Sequence, residues 1–337
     1  MCGQRPEAVA EPGSARREPP PASDARWAVP GSNQRPPACK AGALPAELTA
    51  RAVQVFHTRR TGCRLHEVRN RKERVAEACK SGTSEEIMVL KLFPHSWLLI
   101  ETEQTRIHID PSYLERFFED HPTKIEFSRG PDGVDGLPEP MEKADLILIT
   151  HGDFDHMNPA TIERLRGEHT RVLAPPPCAS KLGAYADPVS EGDELAAAGV
   201  GIEVVPAYNT PEGRSANKHH LRGESVGYVI SVGGKRLYHA GDTDLIPEMS
   251  ELGDVDIAFL PIGGTYTMDI DDAVEAALRI KPGLAVPMHT RQQADPHEFV
   301  RKLERHGTGI RAIAPAIGEP IVISERADSG AKGEAGG

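Results

Sequence analysis

Four side chains able to hold a divalent metal, His151, Asp153, Asp155 and His156, fall within six consecutive positions. They follow directly on the short apolar run Asp145–Thr150, so a loop at a strand end presents them. In a tight loop, side chains two positions apart can turn toward one point, and His156 can then reach a neighbouring one. Such a loop can feed two ions about 3.5–4 Å apart. The competing reading is a polar turn whose acids cap the next helix. Two histidines and two aspartates at this spacing weigh against it.

One loop cannot close a metal site, because zinc takes about four ligands and a bridged pair about six to eight. Further ligands stand at other strand ends. Tyr238–Asp244 places Asp242 just past a strand, with Gly241 permitting a sharp turn. The strand Leu284–Met288 runs into His289. Alone, either would pass for a turn or structural residue. Beside the cluster they turn a partial shell into a complete one.

The string His151–His156, the later Ala240–Thr243 and the final Pro287–His289 resemble successive metal motifs of the metallo-β-lactamase superfamily, within a stretch from about Glu86 to Ser324. Phe93–Trp97 is similar to that family's early Gly-His-Ser segment, and Ile109-Asp110-Pro111 to its strand-end aspartate. Between Tyr238 and His289, the strings HAGDTDLIPEM and LPIGGTYTMD resemble the prokaryotic branch that includes ascorbate-6-phosphate lactonase-like hydrolases. The resemblance implies an α/β (α+β) fold: an αββα sandwich of two mixed sheets with outer helices and the site along one sheet edge. It also implies that His151 and Asp153 serve a first metal, that Asp155, His156 and His289 serve a second, and that Asp242 bridges them. The expected cofactor is zinc, as one or two ions. A water between two ions loses a proton near neutral pH and becomes the nucleophile. Asp155 is the candidate to accept that proton, although a coordinated carboxylate is a poor base.

Two positions depart from the family pattern. The common His-x-His-x-Asp-His has Asp153 at its second histidine here, and the region of the third motif reads Val205–Thr210, where Asn209 is at best a weak neutral ligand. An oxygen-richer first site makes Mn²⁺ or Fe²⁺ more competitive there, and occupancy of the second site alone is an equal option. A carboxylate at position 153 also resembles the di-iron branch of the superfamily. That branch carries a flavin-binding partner domain, which nothing in this chain resembles.

Lys218–Gly223 resembles a basic, histidine-containing substrate loop of the same branch. His220 is a candidate first-metal ligand or a general acid toward the leaving group, and Lys218 and Arg222 are candidates to hold an anionic group. Gly263–Tyr266 resembles an active-site rim, where Tyr266 could touch substrate. Asp110 and Thr243 are expected to orient ligands by hydrogen bonding, as metal-bound histidine needs such a partner. His95 and His239 are expected to orient ligands or to be structural.

The elements that position these residues begin with strands at Glu86–Phe93, Trp97–Thr102 and Arg106–Asp110, which read as an antiparallel meander. After the buried run Asp145–Thr150, Asn158-Pro159 opens a helix to about Arg166, since Asn caps and Pro suits the first turn. Strands are expected at Arg171–Ala174, Gly201–Pro206, Gly227–Val232, Arg236–His239, Ile257–Pro261, Leu284–Met288, Ile310–Ala312 and Pro320–Ser324. Asp269 caps a helix over Ile270–Ile280, and another covers Pro296–His306. The catalytic domain is therefore expected over residues 86–325. Residues 1–43 are rich in Pro, Ala, Gly and charge and are expected to be disordered. Residues 44–85 form a charged lead-in with an exposed helix over Arg64–Lys80, and residues 326–337 form a flexible tail.

Acidic groups outnumber basic ones, 50 to 39, for a formal charge of -11, so the mean field repels phosphate backbones and anionic membranes. Nucleic-acid and membrane partners are not expected. A small-molecule substrate is, and a homo-oligomer remains compatible. Five scattered cysteines without a C-x-x-C pair fit a reducing compartment. With neither an apolar run of about 18 residues nor a secretory signal, the expected location is the cytoplasm. These readings converge on a metal-dependent hydrolase acting through metal-activated water on a small polar lactone, ester or phosphoester. The alternatives are an iron-dependent oxygen- or sulfur-handling enzyme on the same fold, or a metal-binding module without catalysis.

Overall fold

The computed structural model describes residues 54–57 (backbone only), 87–113, 137–290 and 294–324. The expected disorder of residues 1–43, the helix over Arg64–Lys80 and the flexible tail lie outside the described residues.

Strand patterning builds the layers. In the first sheet, the strand β3 (Leu98–Glu101) turns Leu98 and Ile100 into the space between two sheets and Leu99 outward. β5 (Ala144–Leu148) does the same with Leu146 and Leu148 against Ile147, which explains why its apolar run is continuous: both faces are covered. The first sheet is ordered β1 (Gln54–His57), β15 (Pro320–Ser324), β2 (Ile87–Leu92), β3, β4 (Arg106–Ile109), β5, β6 (Arg166–Ala174) and β7 (Ala186–Pro188). The strands from β15 to β4 are antiparallel, and those from β4 to β7 are parallel.

The second sheet is ordered β14 (Arg311–Ala312), β13 (Leu284–Met288), β12 (Ile257–Pro261), β11 (Lys235–His239), β10 (Val226–Val232), β9 (Val200–Pro206) and β8 (Glu194–Ala197). Here β11 to β14 run parallel, and β8 to β11 are antiparallel. One apolar cluster, including Leu90, Ile107, Leu146, Tyr228, Leu237 and Phe259, fills the gap between the sheets. Each such fully buried side chain contributes about 1.5–3 kcal/mol.

Helices α1 (Pro159–Leu165) and α2 (Pro176–Leu182) bury Ile162, Leu165, Cys178 and Leu182 on the outer face of the first sheet. α3 (Ile270–Ile280) and α4 (Pro296–Arg305) pack on β12 and β13 of the second. The layers are those of the expected αββα sandwich. Asn158 caps α1 by accepting from the amides of Ala160 and Thr161, and Asp269 caps α3 through the Asp272 amide.

Elements absent from the sequence expectation are α2, β7, β8 and a 3-10 turn at Pro247–Glu251, while β6 begins earlier than expected, at Arg166. β1 lies in the segment expected as a lead-in and pairs in parallel with β15. No helix among the described residues is long and apolar enough to cross a membrane.

The topology matters most at one edge. β4 and β5 of the first sheet and β11 and β13 of the second end beside Asp110, His151–His156, Asp242 and His289 respectively. Parallel strands in mixed sheets commonly gather ligands beyond their carboxyl ends. The two edges are tied directly: the Val226 amide donates to the Thr150 carbonyl at 3.0 Å, the Tyr228 hydroxyl to the Ile149 carbonyl at 2.6 Å, and the His289 amide to the His95 carbonyl at 2.9 Å.

Candidate metal centre

Asp110 organises the cluster from beneath. Fully buried just past β4, its carboxylate accepts from the Thr150 amide at 2.7 Å and the Thr150 hydroxyl at 2.6 Å, and pairs with His156 Nδ1 at 2.8 Å. That contact leaves His156 Nε2 aimed away from Asp110. Thr150 Oγ1 lies 2.9 Å from His151 Nδ1, so the His151 ring is held in the same sense. Ser112 braces the loop by donating to the Phe154 carbonyl at 2.6 Å. Asp110, expected to orient ligands, is thus placed against His156 and Thr150.

Three groups of ligand-type atoms lie within 4.8 Å of one another: His151 with Asp153 and His220, His151 with His156 and Asp242, and His95 with Asp155 and His289. Asp153 Oδ2 stands 3.7 Å from the Nε2 atoms of both His151 and His220. Asp155 Oδ2 stands 3.3 Å from His95 Nδ1, 3.6 Å from His289 Nε2 and 3.9 Å from His156 Nε2. Asp242 joins the groups, with His156 Nε2 at 3.4 Å, His289 Nε2 at 3.3 Å and His220 Nε2 at 3.7 Å. The six residues expected as ligands thus converge, although they span 139 positions from His151 to His289.

Backbone conformation is unusual at this edge. His95, Asp110 and His289 all have positive φ, at 67°, 51° and 51°. Such conformations cost roughly 1–3 kcal/mol each and persist where the surroundings over-determine them. Gly241, at φ 64°, faces the same turn geometry without that cost, and an added Cβ there would sit 2.7 Å from the Val226 carbonyl oxygen.

The donor set fits divalent ions. The Nε2 atoms of His151, His156, His220 and His289 and Oδ1 of Asp242 are buried without a hydrogen-bond partner. Each buried polar atom left so costs about 1–3 kcal/mol, and a metal ion at their meeting point would satisfy several at once. Charges in the metal-free cluster point the same way. Burial alone would depress His156, but the carboxylates of Asp242, Asp110 and Asp155 outweigh it and raise its pKa to about 10. His289 is likewise raised against burial by Asp242 and Asp155. Burial would raise Asp242, yet the imidazoles of His289, His156, His151 and His220 bring it down to about 2. His95 is the opposite case: burial holds it well below its usual value despite Asp155.

The other expected site residues divide. His220 Nδ1 lies 3.2 Å from the Tyr266 carbonyl, which leaves Nε2 directed at Asp153 and Asp242. Tyr266 is half-buried on the rim, its ring centroid 5.8 Å from that of His219. Asn209 does not serve as a ligand: its Oδ1 accepts from the amides of His219 and His220 at 2.9 and 2.8 Å, and its Nδ2 donates to the Tyr266 carbonyl. Lys218 and Arg222 are not brought to the cluster. Lys218 Nζ bonds to the Gly213 carbonyl, Ser215 and Asp244, and Arg222 pairs with Glu191 and Glu248 over the Tyr208 ring. Thr243 bonds to Tyr208 and the Asp244 carbonyl rather than to a ligand, so it braces the neighbouring loop. His239 is structural, with Nε2 at 2.8 Å from the Ser96 carbonyl.

Two contributors escaped the sequence reading. His95, expected to orient or support, stands among potential ligands. His219, noted only as part of its loop, has Nε2 3.4 Å from Asp153 Oδ1. The His-Ser of the Phe93–Trp97 segment was the available signal for the first. Adjacency to His220 was the only signal for the second.

The family described as "Beta-lactamase superfamily domain" matches residues 89–289. A "UPF0173 metal-dependent hydrolase" of Opitutus terrae is 33% identical over 247 residues, covering 70% of this chain and 100% of that protein. The solved structure of Igni18, a metallo hydrolase from Ignicoccus hospitalis, is 30% identical with a TM-score of 0.53, covering 70% of this chain and 98% of the other. CmlA, a diiron β-hydroxylase from Streptomyces venezuelae, shares the fold at 18% identity and a TM-score of 0.51, over 71% of this chain and 54% of its own. The chain belongs to the metallo-β-lactamase superfamily, within its family of metal-dependent hydrolases.

Proposed function

We propose that this chain hydrolyses a small polar lactone, ester or phosphoester at a centre of two divalent ions, zinc foremost. The observation that carries the reading is the meeting of four unpartnered imidazole Nε2 atoms around the Asp242 carboxylate. His151, Asp153 and His220 would hold one ion and Asp155, His156 and His289 the other, with Asp242 between. When bound, such ions supply Lewis acidity toward a carbonyl or phosphoryl oxygen and acidify a water molecule.

The chain's own residues then orient and move protons. Ester hydrolysis adds a hydroxyl to the acyl carbon, breaks the C–O bond and delivers a proton to the departing alkoxide. Asp110 and Thr150 hold His156 and His151 in the orientation that keeps Nε2 available. Asp155 is the buried candidate to take a proton, flanked by His95 and His289. His220 points Nε2 into the cluster, which favours a ligand role over a general acid role. That leaves His219, exposed and next to Asp153, as the residue placed to hand a proton to the leaving group.

A second reading is supported by the composition of each group, two imidazoles and one carboxylate, which also suits ferrous oxygenases. Metal analysis of the purified chain, with turnover tests on lactones, esters, phosphodiesters and thioesters, separates the two. Hydrolysis with zinc or manganese, lost in His156→Ala, is the expected result. Oxygen consumption with iron alone would favour the second reading, and absence of both metal and turnover would contradict both.

A further inference from the structure

Among the described residues, three large hydrophobic side chains stand exposed: Phe154, Leu221 and Ile317, at 47%, 58% and 40%. Scattered exposed hydrophobics are ordinary, but each of these adjoins a residue of the candidate centre in sequence or shares a cavity with one. Phe154 separates Asp153 from Asp155, and Leu221 follows His220. Ile317 lines a cavity of about 660 Å³ that also takes in His95 and His289. The size suits a small-molecule site.

The chemistry of that cavity is one-sided. Ten of its fifteen described lining residues are apolar, Phe93, Met288, Pro315 and Ile317 among them; Thr290, His297 and Glu319 are its polar residues apart from His95 and His289, and no lysine or arginine is among the described ones. Its one carboxylate, Glu319, is engaged by the Ala316 amide at 2.8 Å. The two loop cations that could have held an anionic substrate body, Lys218 and Arg222, are ion-paired away from the cluster. A charged or strongly hydrated group placed against this apolar wall would lose water, with only Thr290 and His297 beyond the cluster to offer it a new partner. An apolar group would be stabilised.

We infer that the substrate carries its scissile group on a neutral apolar body, alkyl or aryl, seated in the cavity between His95, His289 and the turn at Ala314–Ile317. The inference rests on the hydrolase reading and revises its small polar substrate to one in which only the reacting group is polar. The polar reacting group meets the metal ligands, and the apolar body extends past His95 and His289 under Ile317.

The test has two arms, both on the full chain with its metals. In the first, binding of neutral 1-alkanols from butanol to octanol is measured by calorimetry, with no chemistry required. Affinity should rise about three- to fourfold per methylene, and Ile317→Asp and Ala316→Trp should flatten the series. Both positions are exposed, so circular dichroism should show the fold retained. In the second arm, kcat/KM for 4-nitrophenyl esters from acetate to octanoate should climb by the same increment and flatten in the same variants. Chain-length-dependent alcohol binding without ester turnover would support the cavity assignment while the hydrolase reading failed. Turnover with flat series in both arms would overturn the inference. So would flat alcohol binding with association to phosphatidylcholine vesicles, which would assign the apolar rim to a membrane surface.

Discussion

His156 is held at Nδ1 by Asp110, while the Asp242 carboxylate faces its Nε2 at 3.4 Å without a hydrogen bond. Replacing Asp110 with Asn keeps the shape but offers one acceptor oxygen where three donors are now served. Metal affinity should fall about 10- to 100-fold with the fold kept, as read by chelator competition; unchanged affinity would remove Asp110 from the account. The charge on His156 makes a second, independent prediction. Its pKa of about 10 lies above the ordinary 6.5. Its protonated form therefore stabilises the metal-free fold fully below about pH 6.5, and that contribution is lost as pH rises through about 10. A metal at Nε2 must displace this proton, so binding at pH 7 should release at least about one proton per chain. Calorimetry in buffers of differing ionisation enthalpy reads that number, and zero release would contradict ligation by His156.

Strand ends do the positioning, and the turn at Gly241 is the least forgiving of them. A side chain there meets both a positive φ of 64° and the Val226 carbonyl at 2.7 Å. Gly241→Ala should destabilise the metal-free fold by about 2 kcal/mol or more and loosen Asp242; a urea midpoint equal to that of the parent chain would refute the close approach. The strands that deliver Asp242 and His289 were readable from their apolar runs, and β12, α3, β13 and β15 begin and end where the pattern places them. The ligand loop was readable because four donor residues crowd six positions. What escaped was short or atypical. α2 starts in the run Pro175–Pro177, which reads as a break, yet prolines at the start of a helix cost little. β8 is Ala-rich and carries little strand propensity, so its place comes from pairing with β9 across a tight turn where Ala198 and Gly199 both take positive φ. Lys218 and Arg222 read as anion holders because sequence displays charge but not its partners, and Asp244, Glu191 and Glu248 become neighbours only in the fold.

At the scale of the molecule, two sheets sharing one core bring six segments of chain to a single edge: Phe93–Trp97, Asp110, His151–His156, His219–Leu221, Asp242 and His289. The buried, unpartnered donors there are a liability in the absence of metal. Metal binding should therefore stabilise the whole domain. At a free zinc concentration about 100 times Kd the gain is about 2.7 kcal/mol, or roughly 5–10 °C in Tm for a domain of this size, and excess chelator should reverse it in a thermal melt. An unshifted melt would mean that the cluster is not a metal site. The most direct measurement of the central claim is anomalous diffraction at the zinc edge from crystals grown with zinc. Two peaks are predicted, one where His151, Asp153 and His220 meet and one where Asp155, His156 and His289 meet, with Asp242 touching both. Zinc bound elsewhere while these side chains stay bare would contradict it.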